Sequence, residues 1–223
     1  MAAVYVQYGC GFSVGTDWLN FDSSPTLRIE RLPIIGKLLG RMSGNSQCFP
    51  DLVKFGDICR GLPVPANSVR GVYASHVLEH LAYNDFRIAL QNTFRILEPG
   101  GIFRLIVPDL QERARRYIQE VSNGSPAASA NFMRACHLGL EQRSKSILGR
   151  IRLLVGGSSH LWMWDEPSMA EQLKKAGFID IKRSEFGDSN DPMFAQVEDL
   201  GRFIDSTLNL RELAMTARKP HAS

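Results

Sequence analysis

Residues 84–109 read NDFRIALQNTFRILEPGGIFRLIVPD, and this stretch decides the fold. Phe86, Ala89, Leu90, Thr93, Phe94 and Leu97 recur three and four apart and form one apolar stripe, with Arg87, Gln91 and Arg95 off it. The spacing predicts a helix over Asn84–Leu97, opened by Asn84 as N-cap and stopped by Pro99-Gly100-Gly101. Ile102–Val107 is then apolar apart from Arg104 and ends at Pro108, as suits a strand in a sheet covered on both faces. Helix then strand, repeated, is the signature of a doubly wound α/β fold.

Upstream, Val4–Tyr8, Trp18–Phe21, Val53–Phe55 and Gly71–Ser75 read as four further strands. Pro25 to Pro50 reads as an irregular excursion with one helical turn around Leu32–Leu39. Downstream of Asp109 comes a basic, mostly helical insert, broken at Asn123-Gly124-Ser125-Pro126 and again at Gly156-Gly157. A helix over Pro167–Ala176 follows, capped by Asp165 or Glu166 and stopped by Gly177, then strands at Phe178–Lys182 and Leu213–Ala217. The expected organisation is one domain over residues 1–223, with 111–160 a helical lid or substrate-selecting insert.

The chain has 223 residues, 44% hydrophobic and 22% charged, enough for one substantial core. It has no apolar run of about 18 residues and no leader-like N-terminus, so a cytoplasmic location is expected. Cys10, Cys48, Cys59 and Cys136 are widely spaced, read as reduced thiols, and give no reason to expect a metal centre. The net charge of +3 is uneven. Gln111–Arg152 carries eight basic residues against three acidic ones.

In an open parallel sheet ligands settle beyond the carboxyl ends of the strands. Those ends hold Gly9-Cys10-Gly11, where the chain can turn sharply and admit a ligand to the backbone, and Asp22, whose oxygens can accept from both ribose hydroxyls. They also hold Gly56-Asp57-Ile58, a carboxylate for an adenine amino group beside an apolar cover, and Ser75-His76. Each is a weak signal alone; their order along successive strand ends is more specific.

With Val6-Gln7-Tyr8-Gly9-Cys10-Gly11, Trp18-Leu19-Asn20-Phe21-Asp22, Gly56-Asp57-Ile58 and Ser75-His76-Val77-Leu78-Glu79-His80-Leu81, the chain resembles the class I S-adenosylmethionine-dependent methyltransferases of the methyltransferase-11-like bacterial type. Leu97-Glu98-Pro99-Gly100-Gly101, Val107-Pro108-Asp109, His160-Leu161-Trp162-Met163-Trp164-Asp165 and Ala176-Gly177-Phe178 extend the resemblance. It implies a Rossmann-like, seven-stranded, mostly parallel sheet with the last strand antiparallel, helices on both faces and a helical insert after the fifth strand. It implies S-adenosylmethionine as cofactor: Gly9 and Gly11 at the methionine end, Asp22 with Ser23 at the ribose, Asp57 with Ile58 at the adenine, and Ser75 and His76 beside the sulfonium. Two features depart from the pattern. Gln7 stands where an acidic residue is usual, and Asp22 follows Gly9 by only 13 positions, too few for a full helix.

Methyl transfer to a hydroxyl needs a base, and His76 and His80 are the first candidates, on one face if Ser75 opens a helix. His160 and Trp164 are the second pair, as substrate-facing groups; core packing is the plainer reading for the tryptophan. If the basic insert lines the acceptor site, the acceptor is an anionic small molecule, sugar or glycolipid methylated at oxygen. Ile147, Leu148, Ile151, Leu153 and Leu154 among Arg150 and Arg152 also permit peripheral membrane contact. Nucleic acid is disfavoured, since no basic stripe carries interleaved aromatics. A non-catalytic cofactor-binding or partner module of the same fold is the rival reading. A nicotinamide oxidoreductase lacks support because the third glycine of the dinucleotide fingerprint is missing after Gly9-Cys10-Gly11.

Overall fold

The computed structural model describes residues 4–31, 48–142 and 159–221. The Leu32–Leu39 patch, the Gly156-Gly157 break, Arg143, Lys145, Arg150, Arg152 and the apolar residues 147–154 lie outside the described residues. Among the described residues nine strands form: β1 (Val4–Tyr8), β2 (Leu19–Asp22), β3 (Val53–Phe55), β4 (Val69–Ser75), β5 (Leu97–Val107), β6 (Ile179–Arg183), β7 (Ile204–Asp205), β8 (Leu210–Arg211) and β9 (Leu213–Arg218). Seven make one sheet in the order β3-β2-β1-β4-β5-β9-β6, in which β9 alone runs against its neighbours. The order reverses between β1 and β4, which places the ligand crevice at the carboxyl ends of β1 and β4.

Six α-helices are described: α1 (Pro25–Glu30), α2 (Tyr83–Ile96), α3 (Leu110–Ser122), α4 (Ala128–Ala135), α5 (Glu166–Lys175) and α6 (Leu200–Phe203). The expected stripe is the buried face of α2, where Phe86, Ala89, Leu90 and Thr93 pack inward. Asn84 is not its cap. The helix opens a residue earlier, after Ala82, and without a side-chain cap. Pro99-Gly100-Gly101 does not separate helix from strand either; β5 starts at Leu97, and pairing with β4 jumps from Val69–Leu97 to Gly71–Ile102, so the three residues form a bulge. Asp165 caps α5 through a reciprocal capping box with Ser168, as its position before the helix predicts.

The two faces of the sheet are covered differently. Val6, Tyr8, Phe103, Leu105 and Val107 face α2 and α5 in the main core. On the other face, Tyr5, Tyr73, Ile106 and Ala214 meet Trp18, Phe194, Val197 and Phe203. No helix joins β1 to β2, as the short connection requires, and the bare face is closed by residues 184–203. This late segment, a 3₁₀ turn at Pro192–Gln196 followed by α6, is absent from the expectations. Its lack of periodicity concealed it. Tyr5 Oη donates to Asp191 (2.7 Å), and Trp18 Nε1 donates to the Met193 carbonyl (3.1 Å). Arg104, the one charge in the Ile102–Val107 part of β5, points to this face and donates to Glu198 (2.7 Å) and Asp188 (2.8 Å), so its charge is paired where it is buried.

Candidate active site

The strand ends form a continuous row. Cys10 N–H donates to the Phe21 carbonyl (3.2 Å), Gly11 N–H to Asp22 Oδ2 (2.9 Å), and Gly56 N–H to the Asp22 carbonyl (3.0 Å), tying the turns after β1, β2 and β3 together. Gly9 and Gly11 both have left-handed φ, +63° and +55°. A Cβ on Gly9 would lie 2.2 Å from Val77, whereas one on Gly11 would meet nothing within 4 Å. Gly9 therefore lets the first turn abut the β4 end, and Gly11 leaves open space beside the backbone.

Asp22 is buried, and Oδ1 also accepts from Ser24 N–H (2.7 Å); each oxygen keeps a lone pair for another donor. Ser23 is exposed beside it. Asp57 is half-buried and accepts from Cys59 N–H (2.9 Å). Ile58 departs from expectation. Its side chain packs in the main core with Phe21 and Leu62 rather than standing free over a ring, because burial against those neighbours is the favourable state of an aliphatic group. Ser75 Oγ and Gln7 Oε1 are buried without hydrogen-bond partners. Two carboxylate acceptors, two orphaned polar atoms and open backbone at Gly11 are the donor set that S-adenosylmethionine would engage, so these residues fit the cofactor.

Beyond β4 the chain turns at His76, a non-glycine residue at φ +54°, a strained conformation that turns its ring into the site. Ser75 does not open a helix. A 3₁₀ turn at Leu78–His80 forms instead and puts Glu79 between the two histidines rather than placing them on one face. Glu79 Oε1 lies 3.4 Å from His76 Nδ1 and 3.9 Å from His80 Nε2. His76 Nε2 faces the Arg202 carbonyl at 3.0 Å. Burial pulls the His76 pKa down, but Glu79 and the Arg202 carbonyl outweigh it and hold the ring above its ordinary value.

His160 is carried to this group by its backbone neighbours: Leu161 N–H and Trp162 N–H both donate to the Glu79 carbonyl (2.8 and 3.1 Å). Its ring lies 5.1 Å from that of His80 and 4.8 Å from that of His137. Burial lowers its pKa to about 4, with His80, His137 and Arg113 adding to the shift and Glu79 opposing it. Trp164 does not face an acceptor. It is 1% exposed and stacks on Phe86 at 4.1 Å, because a parallel bridge to Asp109 and the bond from Leu110 N–H to its carbonyl (2.8 Å) hold it against the β5 end. The ring left outside is Trp162, 45% exposed.

His76, Glu79, His80, His137, His160, Arg113 and Arg202 line one cavity of about 380 Å³ beyond β4 and β5. The described arginines of the basic insert are otherwise engaged. Arg113 grips Glu212 with both terminal nitrogens (2.8 and 3.0 Å), and Arg115, Arg116 and Arg134 pair with Glu112, Glu120 and Glu141. Arg202, exposed at the cavity wall, has no carboxylate partner among the described residues.

Residues 6–105, from β1 into β5, match the methyltransferase domain family model. The fold around that stretch is the Rossmann-like fold of the class I S-adenosylmethionine-dependent methyltransferases. Among solved structures the chain is similar to a Haemonchus contortus phosphoethanolamine N-methyltransferase 2 in complex with phosphomonomethylethanolamine and S-adenosylhomocysteine, at 13% identity and TM-score 0.50, over 98% of this chain and 49% of that one. It is also similar to a Haloferax volcanii methyltransferase in complex with the Trm112 activator (16% identity, TM-score 0.49, 99% and 83% of the two chains). A further match is an S-adenosylmethionine-dependent methyltransferase from Archaeoglobus fulgidus (14%, 0.48, 98% and 87%). No curated protein sequence matches it. No helix among the described residues is long and apolar enough to cross a membrane.

Glu79, His137 and Arg202 are the site residues that the sequence did not flag. A signal existed for the first: His76-Val77-Leu78-Glu79-His80 has the His-x-x-Glu-His spacing seen in metal-binding helices. His137 occupies the left-handed position (φ +51°) that ends α4, where glycine is usual, and Arg202 arrives from 126 residues beyond His76. Neither has a local pattern.

Proposed function

We propose that this chain is an S-adenosylmethionine-dependent methyltransferase that methylates a hydroxyl oxygen of an anionic small-molecule acceptor, of the sugar-phosphate or glycolipid-headgroup kind, with His76 as general base. The observation that carries the reading is the histidine-lined cavity opening beside Ser75 and His76, with Arg202 on its wall. Gly9, Gly11, Asp22, Ser23, Asp57, the backbone at Ile58 and Ser75 hold the cofactor along the strand-end row. Bound S-adenosylmethionine supplies a methyl carbon that passes to the acceptor oxygen as the carbon–sulfur bond breaks and sulfur keeps the electron pair. The chain has to align the hydroxyl and take its proton.

Glu79 beside Nδ1 orients the His76 ring and leaves Nε2 as the proton acceptor. In the structure Nε2 is occupied by the Arg202 carbonyl, which only accepts and so favours the protonated ring. An acceptor hydroxyl taking that place brings a donor to Nε2, and the ring can then receive its proton. Arg202, on the same turn, pairs with the acceptor's anionic group.

The test is a panel of neutral and phosphorylated sugars assayed for S-adenosylhomocysteine release, with the new methyl located by NMR. An O-methyl product from an anionic acceptor, with a KM raised about tenfold by Arg202→Ala, supports the reading. An N-methyl product, or equal use of neutral and anionic acceptors, overturns it.

A further inference from the structure

Glu79, His80 and His160 converge without a role that packing explains. Their donor atoms lie within 4.8 Å of one another. Glu79 is 1% exposed, yet neither of its oxygens makes a well-formed hydrogen bond, and His160, 9% exposed, has Nδ1 unpartnered. Leaving three polar atoms unsatisfied in one buried spot is costly, and proteins keep such a cost where a ligand recovers it.

The His80 ring has the orientation of a ligand. His80 Nδ1 faces the Ser159 carbonyl at 3.2 Å, so the proton belongs on Nδ1 and the lone pair on Nε2, which is the nitrogen facing Glu79. A backbone carbonyl fixing the far nitrogen is the usual support of a metal-bound imidazole. The bonds from Leu161 and Trp162 to the Glu79 carbonyl lock the segment that carries His160 to the turn that carries Glu79 and His80. The ligand-bearing segments are thus joined by backbone rather than only by side chains. Arg113, a cation on the same cavity wall, is neutralised by Glu212 and by Asp205 at 3.5 Å.

We propose that Glu79, His80 and His160 form a binding site for a divalent first-row transition-metal ion, with its open coordination position facing the cavity beside His76. Two imidazoles and one carboxylate are a donor set for zinc or iron(II) and a poor one for magnesium or calcium, which take oxygen ligands. Bonds of about 2.0–2.1 Å require the three donor atoms to close in around the ion from these separations. The ion supplies a Lewis acid to an acceptor oxygen in the same cavity. The site goes beyond the proposed acceptor reading and does not depend on it.

Tag-free protein, stripped with a chelator, is titrated with Zn²⁺ by calorimetry and with Co²⁺ by visible absorption. One equivalent of each binds, the cobalt bands report nitrogen and oxygen ligands without sulfur, and Mg²⁺ gives no heat. His80→Ala and His160→Ala weaken Zn²⁺ by at least about 100-fold while both variants still bind S-adenosylhomocysteine. Histidine side-chain ¹⁵N spectra of the unsubstituted protein keep the test sharp if a variant does not fold: Zn²⁺ shifts the His80 and His160 nitrogens. Binding of neither ion at one equivalent, affinity unchanged in a folded variant, or Zn²⁺ leaving both histidines unshifted each overturns the site. Failure here leaves S-adenosylhomocysteine binding and acceptor methylation intact, so it is distinguishable from failure of the acceptor reading.

Discussion

At the Asp22 end of the strand row the backbone answers the polar groups: Gly11 and Ser24 donate to the Asp22 carboxylate, and Cys59 donates to Asp57. At the His76 end the groups answer one another across distance, and Glu79 and His160 are left with buried atoms unsatisfied. The first end is pre-arranged by short-range turns and needs only lone pairs to hold a ligand. The second is assembled from four parts of the chain and depends on what enters it. On the proposed reading, recognition and reaction are thus built on different physical plans within one crevice, with Gly9 against Val77 as the joint between them.

The sharpest way to break that division is His76→Asn, which tolerates the left-handed backbone and removes the proposed base. Turnover should fall by about 10²–10⁴-fold while calorimetric affinity for S-adenosylhomocysteine stays within about twofold. A matching collapse of affinity would mean the two ends are one unit. Asp22→Ala strikes the other end. Loss of two charge-assisted bonds, each about 1.5–3 kcal/mol, should weaken the same ligand by about 100-fold or more in a variant whose circular dichroism is unchanged.

Gly9→Ala probes the joint. The left-handed φ and the 2.2 Å approach to Val77 should lower cofactor affinity by about tenfold, and Val77→Ala added to it should recover part of the loss, as a double-mutant cycle reads. Purely additive effects would remove the contact from the account. Arg115→Ala, at the exposed pair with Glu112, should change stability by less than about 0.5 kcal/mol and leave the acceptor KM alone, in contrast to Arg202→Ala. A raised KM in Arg115→Ala would return the insert to the acceptor site.

The same contrast explains what could be read from the residues alone. β1, β2, β3, β4, β9 and the α2 stripe follow local periodicity, and the glycines and carboxylates fall directly after their strands. Trp164 misled because a tryptophan pair in a loop gives no sign of which ring turns inward; the bridge to Asp109 decides that. The basic insert misled for a related reason. Charge counts cannot register that Arg113 is already gripped by Glu212, 99 positions away. Glu79 stood in view between two histidines, but its partner His160 comes from a distant segment, and the convergence exists only in three dimensions.

The cover of the second sheet face has a consequence for how the chain is born. Tyr5 waits for Asp191, 186 positions later, before its ring and those around it are shielded. At about 5–20 residues per second, the aromatic side of the first strand is exposed for on the order of ten to forty seconds during synthesis. Over that interval the nascent polypeptide presents Tyr5 and Trp18 to whatever chaperones or neighbouring chains are at hand.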